Sequence, residues 1–330
     1  MARSDLMKRL LRSYSTGDDR AFRSTAEAII EDERRKRHDL LADELEAILD
    51  QPGPGRRPLN VSALRPLPKG RDDLDLIDIL QSRVSLATVV LDEATAEVVE
   101  GLLDEFRQRT ALRAHGLEPR NTVLFVGPPG CGKSLTAEAL AGELGLGLAR
   151  VRLAAVVSSF LGETAKNLEQ IFAFVRMGSW VLLFDEFDML ARERGDQNDH
   201  GEVRRIVTAL LQMVEDTRTD SIVIATTNHP QLLDGALWRR FDEIVAFGLP
   251  ERPERVALLK AKLAAIRLDV DLTAMADRLA GYTHAEIERV CEDAIRLMVR
   301  QLDRTVAVQH LDYAINRQET RRRTILGSQG

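Results

Sequence analysis

The sequence predicts an α/β fold in which a parallel sheet of five strands carries helices on both faces, with helical segments before and after it. Two observations predict this fold. Short apolar runs alternate with longer stretches whose apolar residues recur every three or four positions, as strands alternate with helices in parallel sheets. After Pro250 and Pro253 only helical patterns remain, which predicts a separate helical part toward the C-terminus.

The composition is that of a globular chain with room for about two domains. Of 330 residues, 44% are hydrophobic, 30% are charged and only 5% are aromatic. The net charge of −6 gives no global basic field, which argues against nucleic acid as a partner. The two cysteines, Cys131 and Cys291, do not make a disulfide framework. No apolar run approaches the length of a membrane span, so we expect a cytoplasmic protein without a membrane partner.

Residues 1–50 carry three helical patterns and form a predicted N-terminal helical segment. Two interpretations of this segment stay open: a docking module for a partner or substrate, or a helical collar on the next domain. Residues 51–72 are dense in proline and glycine, which predicts a linker. We expect the α/β part to occupy residues 73–249, a small helical subdomain residues 250–320, and a frayed basic tail residues 321–330.

The first strand of the sheet leads into a phosphate-binding sequence. Residues 122–126 form an apolar run, residues 127–134 read GPPGCGKS, and a helical pattern follows at 135–144. This is the GxxxxGK[ST] motif in its strand–loop–helix setting. Glycines let successive backbone N–H groups converge on one point, and the helix N-terminus adds positive potential. The sequence therefore predicts a site for ATP with Mg²⁺.

Within this motif, Lys133 is predicted to reach the β- and γ-phosphates and the Ser134 hydroxyl to bind Mg²⁺. The full set of predicted nucleotide-binding residues in the loop is Gly127, Pro128, Pro129, Gly130, Cys131, Gly132, Lys133, Ser134 and Leu135.

A second apolar run, residues 180–184, ends in two carboxylates about 50 residues beyond the phosphate-binding motif. Asp185, where the strand ends, is placed to hold Mg²⁺ or its waters. Glu186 can polarise a water for in-line attack on the γ-phosphate. A solvated acidic turn after a strand is the alternative interpretation.

Further elements follow the same alternation. Strands are predicted at residues 148–153, 221–226 and 244–247, and helices at 164–175 and 202–215. The C-terminal helical patterns cover residues 256–266, 272–279, 285–302 and 310–316.

Five segments occur in the order and spacing of AAA family ATPases, which they resemble over about residues 85–310. They are Gly116-Leu117, GPPGCGKS, LLFDEFD, ATTNHPQLLDGALWRRFD and GYTHAEIERVCEDAIRLMVR. The resemblance implies a P-loop NTPase core of the AAA type, with one ATP-hydrolysing module in the chain.

The resemblance also implies roles for single residues. Asn228 matches the sensor-1 position, where an amide positions the lytic water with Glu186. Arg239 and Arg240 match the arginine-finger pair that enters the neighbouring subunit's site, which implies a ring, usually a hexamer. Without the resemblance, two arginines beside an acidic turn are more typical of surface ion pairs.

Phe160 and Leu161 lie in a segment, SFLGET, that resembles the first pore loop of the family. There Phe160 would grip an extended polypeptide. Residues 193–201 fall where a second pore loop would lie, or form an ordinary surface loop.

Two positions depart from the family pattern. His284 stands where the family has the glycine of a Gly-Ala pair, and either contacts the ribose or base or caps the helix predicted from residue 285. Ser159 stands where many relatives carry a basic residue, so the substrate preference differs if the pore role holds.

The resemblance implies an ATPase ring that remodels or unfolds protein substrates through a central pore. The alternative is a nucleotide-state switch that regulates a partner enzyme, because the layout resembles bacterial ATPases that act beside a subtilisin-like serine protease, some of them in phage defence. A DNA-acting AAA+ loader fits worse, since the basic clusters lie in the predicted linker and tail. The sequence holds no HExxH motif, so it does not resemble a self-contained AAA protease.

Overall fold

The computed structural model describes residues 24–26, 28–30, 34, 66–70, 73–156, 161–188, 213, 220–232 and 238–327. The chain divides into two compact units, residues 1–60 and 61–330. In the first unit, residues 24–26 and 28–30 are helical. Most of the predicted linker, Phe160, the segment 193–201 and nearly all of the helix predicted at 202–215 lie outside the described residues.

A six-stranded sheet forms the centre of the second unit. Its strands are β1 (Ile77–Leu80), β2 (Thr122–Val126), β3 (Gly147–Val151), β4 (Trp180–Phe184), β5 (Ile222–Thr227) and β6 (Glu243–Ala246). They lie in the order β1-β3-β4-β5-β2-β6. Strands β2 to β6 are mutually parallel, which confirms the predicted parallel sheet of five strands.

The sixth strand, β1, was not predicted. It pairs antiparallel with β3 at one edge of the sheet, with Ile77 opposite Val151. Its four residues, Ile-Asp-Ile-Leu, are too few to distinguish a strand from a loop. The pairing with β3, which lies far away along the chain, determines its conformation.

Both faces of the sheet are buried, as expected for parallel strands between helices. Along β4 the side chains alternate between two apolar clusters. Leu182 and Phe184 join the cluster covered by α5 (Leu161–Val175), whereas Val181 and Leu183 join the opposite one. That opposite cluster is covered by α1 (Glu93–Arg107) and α3 (Lys133–Leu144). The described residues of this part also form two short α-helices, α2 (Arg109–Ala114) and α4 (Leu153–Val156).

The C-terminal part is helical, as predicted, around its own apolar cluster. Its helices are α6 (Arg252–Leu263), α7 (Leu272–Arg278), α8 (His284–Gln301) and α9 (Val308–Gly327). Two three-residue strands that the sequence did not predict, β7 (Arg267–Asp269) and β8 (Thr305–Ala307), pair in parallel. Such short strands carry too few residues for a period to be recognised.

Helix α9 runs to Gly327 and so includes the basic residues that we expected to form a frayed tail from residue 321. The basic side chains are not simply solvated, because Arg321 and Arg322 pair with Asp293 and Glu286 of α8. None of the helices described is long and apolar enough to cross a membrane.

Candidate nucleotide-binding site

The loop between β2 and α3 is built on glycines with positive φ, which other residues rarely adopt. The φ angles of Gly127, Gly130 and Gly132 are 145°, 76° and 95°. A Cβ atom on Gly127 would lie 2.1 Å from the carbonyl oxygen of Phe247, so close packing as well as backbone conformation requires glycine there. A Cβ on Gly132 would meet nothing within 4 Å. Since no side chain caps α3, its first N–H groups can bind an anion held by the loop.

Lys133, the first residue of α3, is buried to 6% exposure. Its Nζ donates to the carbonyl oxygens of Gly127 at 2.7 Å and Pro128 at 2.8 Å, and to Asn228 Oδ1 at 2.8 Å. Burial lowers the pKa of Lys133, and nearby carboxylates, Asp185 among them, oppose that shift. The fold thus brings the predicted phosphate-binding lysine into direct contact with the predicted sensor-1 asparagine.

The carboxylate at the end of β4 meets the hydroxyl at the start of α3. Ser134 Oγ donates to Asp185 Oδ1 at 2.7 Å, and Thr226 Oγ1 donates to the same oxygen at 2.8 Å. A carboxylate and a hydroxyl are hard oxygen ligands of the kind that Mg²⁺ prefers, with substrate phosphates and waters as the remainder. The described residues hold no cluster of three or more His, Cys, Asp or Glu side chains suited to a metal. Because both are oxygen ligands, Ser134 and Asp185 fit a magnesium ion that is bound together with a nucleotide.

Glu186 lies beside this pair with its side chain exposed and its backbone at a φ of 52°, in the left-handed region. Its N–H donates to Thr226 Oγ1 at 2.9 Å. One threonine hydroxyl on β5 therefore connects the backbone of Glu186 to the carboxylate of Asp185. Sequence reasoning missed Thr226, because a threonine inside an apolar run is typical of an ordinary strand.

Asp188 is a second residue that sequence reasoning missed. Its carboxylate is 4% exposed, and Oδ1 accepts from Thr227 Oγ1 and from the N–H of Asn228, both at 3.1 Å. Asp188 thus fixes the backbone of the residue whose side chain meets Lys133. The motif FDEFD shows an aspartate two residues after Glu186, but the sequence does not show that this aspartate is buried.

The start of α8 contacts the phosphate-binding loop. Thr283, not His284, caps this helix through a capping box with Glu286, so the capping interpretation of His284 is wrong. The His284 ring lines a pocket with Leu91, Asp92, Cys131 and Phe247, among other residues. Its Nδ1 is buried without a hydrogen-bond partner among the described residues.

Burial lowers the pKa of His284, and a hydrogen bond with the backbone of Val90 acts against that shift. The neutral ring beside the loop accords with the prediction that His284 contacts the ribose or base, which stays a prediction.

Arg239 and Arg240 lie in a turn near the amino-terminal end of β2, opposite the end that carries the phosphate-binding loop. Asp242, two residues beyond, accepts hydrogen bonds from the N–H groups of Asn121 and Thr122 at 3.0 Å each, and so ties this turn to the start of β2. The phosphate-binding loop follows the end of β2, roughly 15 Å away for a strand of this length. The structure therefore does not bring the two arginines to the loop of their own chain.

The predicted pore residues are only partly described. Leu161 is the first residue of α5, and Phe160 lies outside the described residues.

Comparisons with known proteins match this architecture. The model of the AAA family, the ATPase family associated with various cellular activities, matches residues 123–249. Over 324 residues the chain is 43% identical to the uncharacterized AAA family ATPase y4kL of Sinorhizobium fredii, a match covering 98% of this chain and 97% of that relative.

Two further relatives are similar over part of their length. The ATP-dependent zinc metalloprotease FtsH 3 of Sphaerobacter thermophilus is 36% identical over 232 residues, 68% of this chain and 47% of that protein. A cell division cycle protein 48 homolog of Archaeoglobus fulgidus is 33% identical over 219 residues, 64% of this chain and 30% of that protein.

Proposed function

This chain belongs to the AAA family of ATPases, and from that membership we propose that it hydrolyses ATP to ADP and phosphate in a ring of identical subunits that remodels or unfolds protein substrates. The observation that carries the proposal is the position of its polar and charged side chains. Lys133, Ser134, Asp185 and Asn228 lie beyond the carboxyl-terminal ends of the strands, and the arginine pair lies near the amino-terminal end of β2.

For the hydrolytic step, the N–H groups of the loop and of the start of α3 would hold the phosphate chain. Lys133 Nζ would exchange its bonds to the loop carbonyls for bonds to the β- and γ-phosphate oxygens. Ser134 and Asp185 would hold Mg²⁺, which when bound neutralises charge on those phosphates. Glu186 would take a proton from the attacking water, and Asn228 would orient that water.

The position of Arg239 and Arg240 supports a ring. A guanidinium near the γ-phosphate stabilises the charge of the transferring phosphoryl group. Because these arginines lie at the end of the strands opposite their own loop, they can serve only the loop of another copy. The contact is then between two different surfaces, and contacts of that kind close into rings when the rotation permits. The family usually forms hexamers, and we propose the same number here.

A protein substrate is supported by one relative and by the predicted pore loop. FtsH 3 is named as an ATP-dependent protease, and this chain covers 47% of it. An aromatic side chain such as Phe160 contacts extended polypeptide without regard to sequence. We propose that the N-terminal residues 1–50 select the client.

The rate of ATP hydrolysis per subunit, measured across protein concentration, tests the ring. The variants are Glu186→Gln and Arg240→Ala. We expect the native specific activity to rise with concentration as subunits assemble, and both variants to lose most of it. A flat specific activity that survives Arg240→Ala would show self-contained sites and contradict the ring.

Phe160→Ala tests whether substrate is threaded. We expect an unfolded polypeptide such as casein to raise the native ATPase rate over its basal rate, and the variant to lose that stimulation. Met177→Ala, which truncates a 58% exposed apolar side chain on the surface, is the matched control. Casein responses that are equal in Phe160→Ala and the native protein would instead favour a nucleotide-state switch acting on a partner enzyme such as a serine protease.

A further inference from the structure

The middle of the phosphate-binding loop packs against the start of α8. The N–H of Ala285 donates to the carbonyl oxygen of Gly130 at 3.0 Å. A Cβ atom on Gly130 would lie 3.1 Å from both Ala285 Cβ and Thr283 Oγ1. Because the fit is this close, a shift of the Thr283–Ala285 turn would move Gly130 with it.

A capping box sets the position of that turn. Thr283 Oγ1 accepts from the N–H of Glu286 at 3.3 Å, and Glu286 Oε2 accepts from the N–H of Thr283 at 2.8 Å. The two bonds satisfy donors that a helix N-terminus otherwise leaves unpaired. The carboxylate of Glu286 therefore controls the geometry of the residues that contact Gly130.

Helix α9 also holds that carboxylate. Arg322 Nε donates to Glu286 Oε1 at 2.7 Å, and Gln318 Nε2 donates to the same oxygen at 3.2 Å. Arg322 also donates to the carbonyl oxygen of Gly281 at 2.8 Å, and its guanidinium lies 3.9 Å from the centre of the Tyr282 ring.

Arg322 thus contacts both ends of the 281–286 turn. Burial acts to raise the pKa of Glu286, but the hydrogen bond from Arg322, with those from Thr283 and Gln318, lowers it to about 2. Glu286 is therefore ionised at neutral pH, as its bonds to Arg322 and Thr283 require.

We propose that Arg322 is a positioning residue for nucleotide binding: through Glu286 and the capping box it holds the Thr283–Ala285 turn against Gly130 and keeps the phosphate-binding loop in its binding conformation. The proposal rests on ATP binding, as set out above. It gives a residue near the end of the described chain control over a loop that precedes it by almost 200 positions.

A neighbouring arginine provides a matched control. Arg321 also joins α9 to α8, through an ion pair with Asp293 at 2.9 Å, and its side chain is 32% exposed against 33% for Arg322. Asp293 lies about two turns further along α8, where it also pairs with Arg296 and Arg317. Arg321 also donates to Gln318 Oε1 at 3.3 Å, but it makes no direct bond to Glu286 or Thr283. Loss of Arg321 therefore weakens the joint between the helices while the bonds of Arg322 and Thr283 to Glu286 remain.

The experiment compares Arg322→Gln with Arg321→Gln in the full-length chain, in a Glu186→Gln background that prevents turnover. Two quantities are measured: the Kd of a fluorescent ATP analogue with Mg²⁺, and hydrogen exchange of the peptide covering residues 127–135 without nucleotide. We expect Arg322→Gln to weaken binding about tenfold and to speed exchange, whereas Arg321→Gln changes the Kd less than about twofold. Glu286→Gln should resemble Arg322→Gln, and the double variant should be no worse than either, because the two residues act through one contact.

Equal changes in Kd and exchange for Arg321→Gln and Arg322→Gln would overturn the proposal, since the effect would then be general loosening of the helices. Arg322→Lys, which keeps the charge but not the forked geometry, should restore binding in part. Because hydrogen exchange needs no nucleotide, it tests the positioning role even if the native chain fails to bind ATP. Failure of the native chain to bind ATP would count against the proposed function and not against the positioning role.

Discussion

At the scale of single residues, Thr226 connects the two acidic residues that follow β4. Its hydroxyl donates to Asp185 and accepts from the backbone of Glu186. Thr226→Val keeps the shape and removes both bonds. A hydrogen bond to a charged group contributes about 1.5–3 kcal/mol, so we expect kcat for ATP hydrolysis to fall about tenfold to a hundredfold.

Thr110→Val, the same change on an exposed turn of α2, is the control and should leave kcat unaltered. Steady-state phosphate release measures both variants. A Thr226→Val variant with native kcat would show that Asp185 and Glu186 keep their geometry without this hydroxyl.

The buried ring of His284 gives a second prediction. Its pKa in the folded chain is below the ordinary value of 6.5, so the folded state binds this proton less tightly than the unfolded state. The contribution of the neutral His284 ring to the free energy of unfolding is complete well above pH 6.5. It is lost progressively as the pH falls below that value toward the lower pKa of the folded chain. Urea unfolding between pH 7.5 and 5.5 should therefore show a larger loss of stability for the native chain than for His284→Gln. The difference in slope is at most about 1.4 kcal/mol per pH unit, the limit for one proton.

His115→Gln, a change at an exposed histidine, controls for the loss of a histidine as such. If the native chain and His284→Gln lose stability in parallel as the pH falls, the His284 ring does not resist protonation in the folded state.

At the scale of elements, the segment before α1 is held against the last turn of α3. Ser85 Oγ donates to Glu143 Oε1 at 2.8 Å, and the N–H of Leu86 donates to the same oxygen at 3.0 Å. Gly142 lies in this contact, because a Cβ atom there would be 2.5 Å from the carbonyl oxygen of Val84. The segment continues to Leu91 and Asp92, so this packing also positions one wall of the His284 pocket.

Two glycine-to-alanine changes in helices should therefore have opposite signs. Alanine normally stabilises a helix interior by about 0.5–1 kcal/mol over glycine. Gly101→Ala in α1 should show that gain, since its nearest neighbour is a flexible Arg120 nitrogen at 3.7 Å. Gly142→Ala should instead destabilise by about 1–3 kcal/mol, because the obstructing atom belongs to the backbone. The urea midpoints of the two variants measure both changes in stability. A stabilised Gly142→Ala would show that the backbone around Val84 shifts at little cost in free energy.

The helices and strands differ in how far the sequence alone predicts them. The parallel strands and the helices have periods that a local window detects, and the glycine-rich loop has a motif with a mechanism. Strand β1 and the β7–β8 pair depend on partners far along the chain, which no local pattern reports. At the candidate site, Lys133 and Asn228 could be expected to meet, because both follow parallel strands. The bridging role of Thr226 requires knowing which hydroxyl points toward Asp185, and only the pairing of β4 with β5 determines that.

At the scale of the whole molecule, the sheet separates two charged sites along one strand direction. The candidate nucleotide site lies beyond the carboxyl end of β2, and the turn with Arg239 and Arg240 lies beside its amino end. Under the proposed ring, these are two halves of one active site, which a single copy cannot join. Two copies in head-to-tail contact can join them, and each further copy adds one more complete site.

This arrangement predicts that two inactive variants restore each other. Glu186→Gln subunits lack the proposed general base but carry an intact Arg240. Arg240→Ala subunits lack the arginine but carry an intact Glu186. In an equal, randomly assembled mixture, about one quarter of the contacts pair an intact Glu186 with an intact Arg240, so activity per subunit should approach about one quarter of the native value.

Mixing Glu186→Gln with the double variant Glu186→Gln/Arg240→Ala creates no such contact and should stay inactive, which makes it the control. Light scattering on each mixture establishes that rings have formed, and phosphate release gives the rate. A mixture that assembles but hydrolyses no faster than its separate components would exclude sites shared between copies. Recovery near one quarter would instead assign Glu186 and Arg240 to opposite sides of one interface.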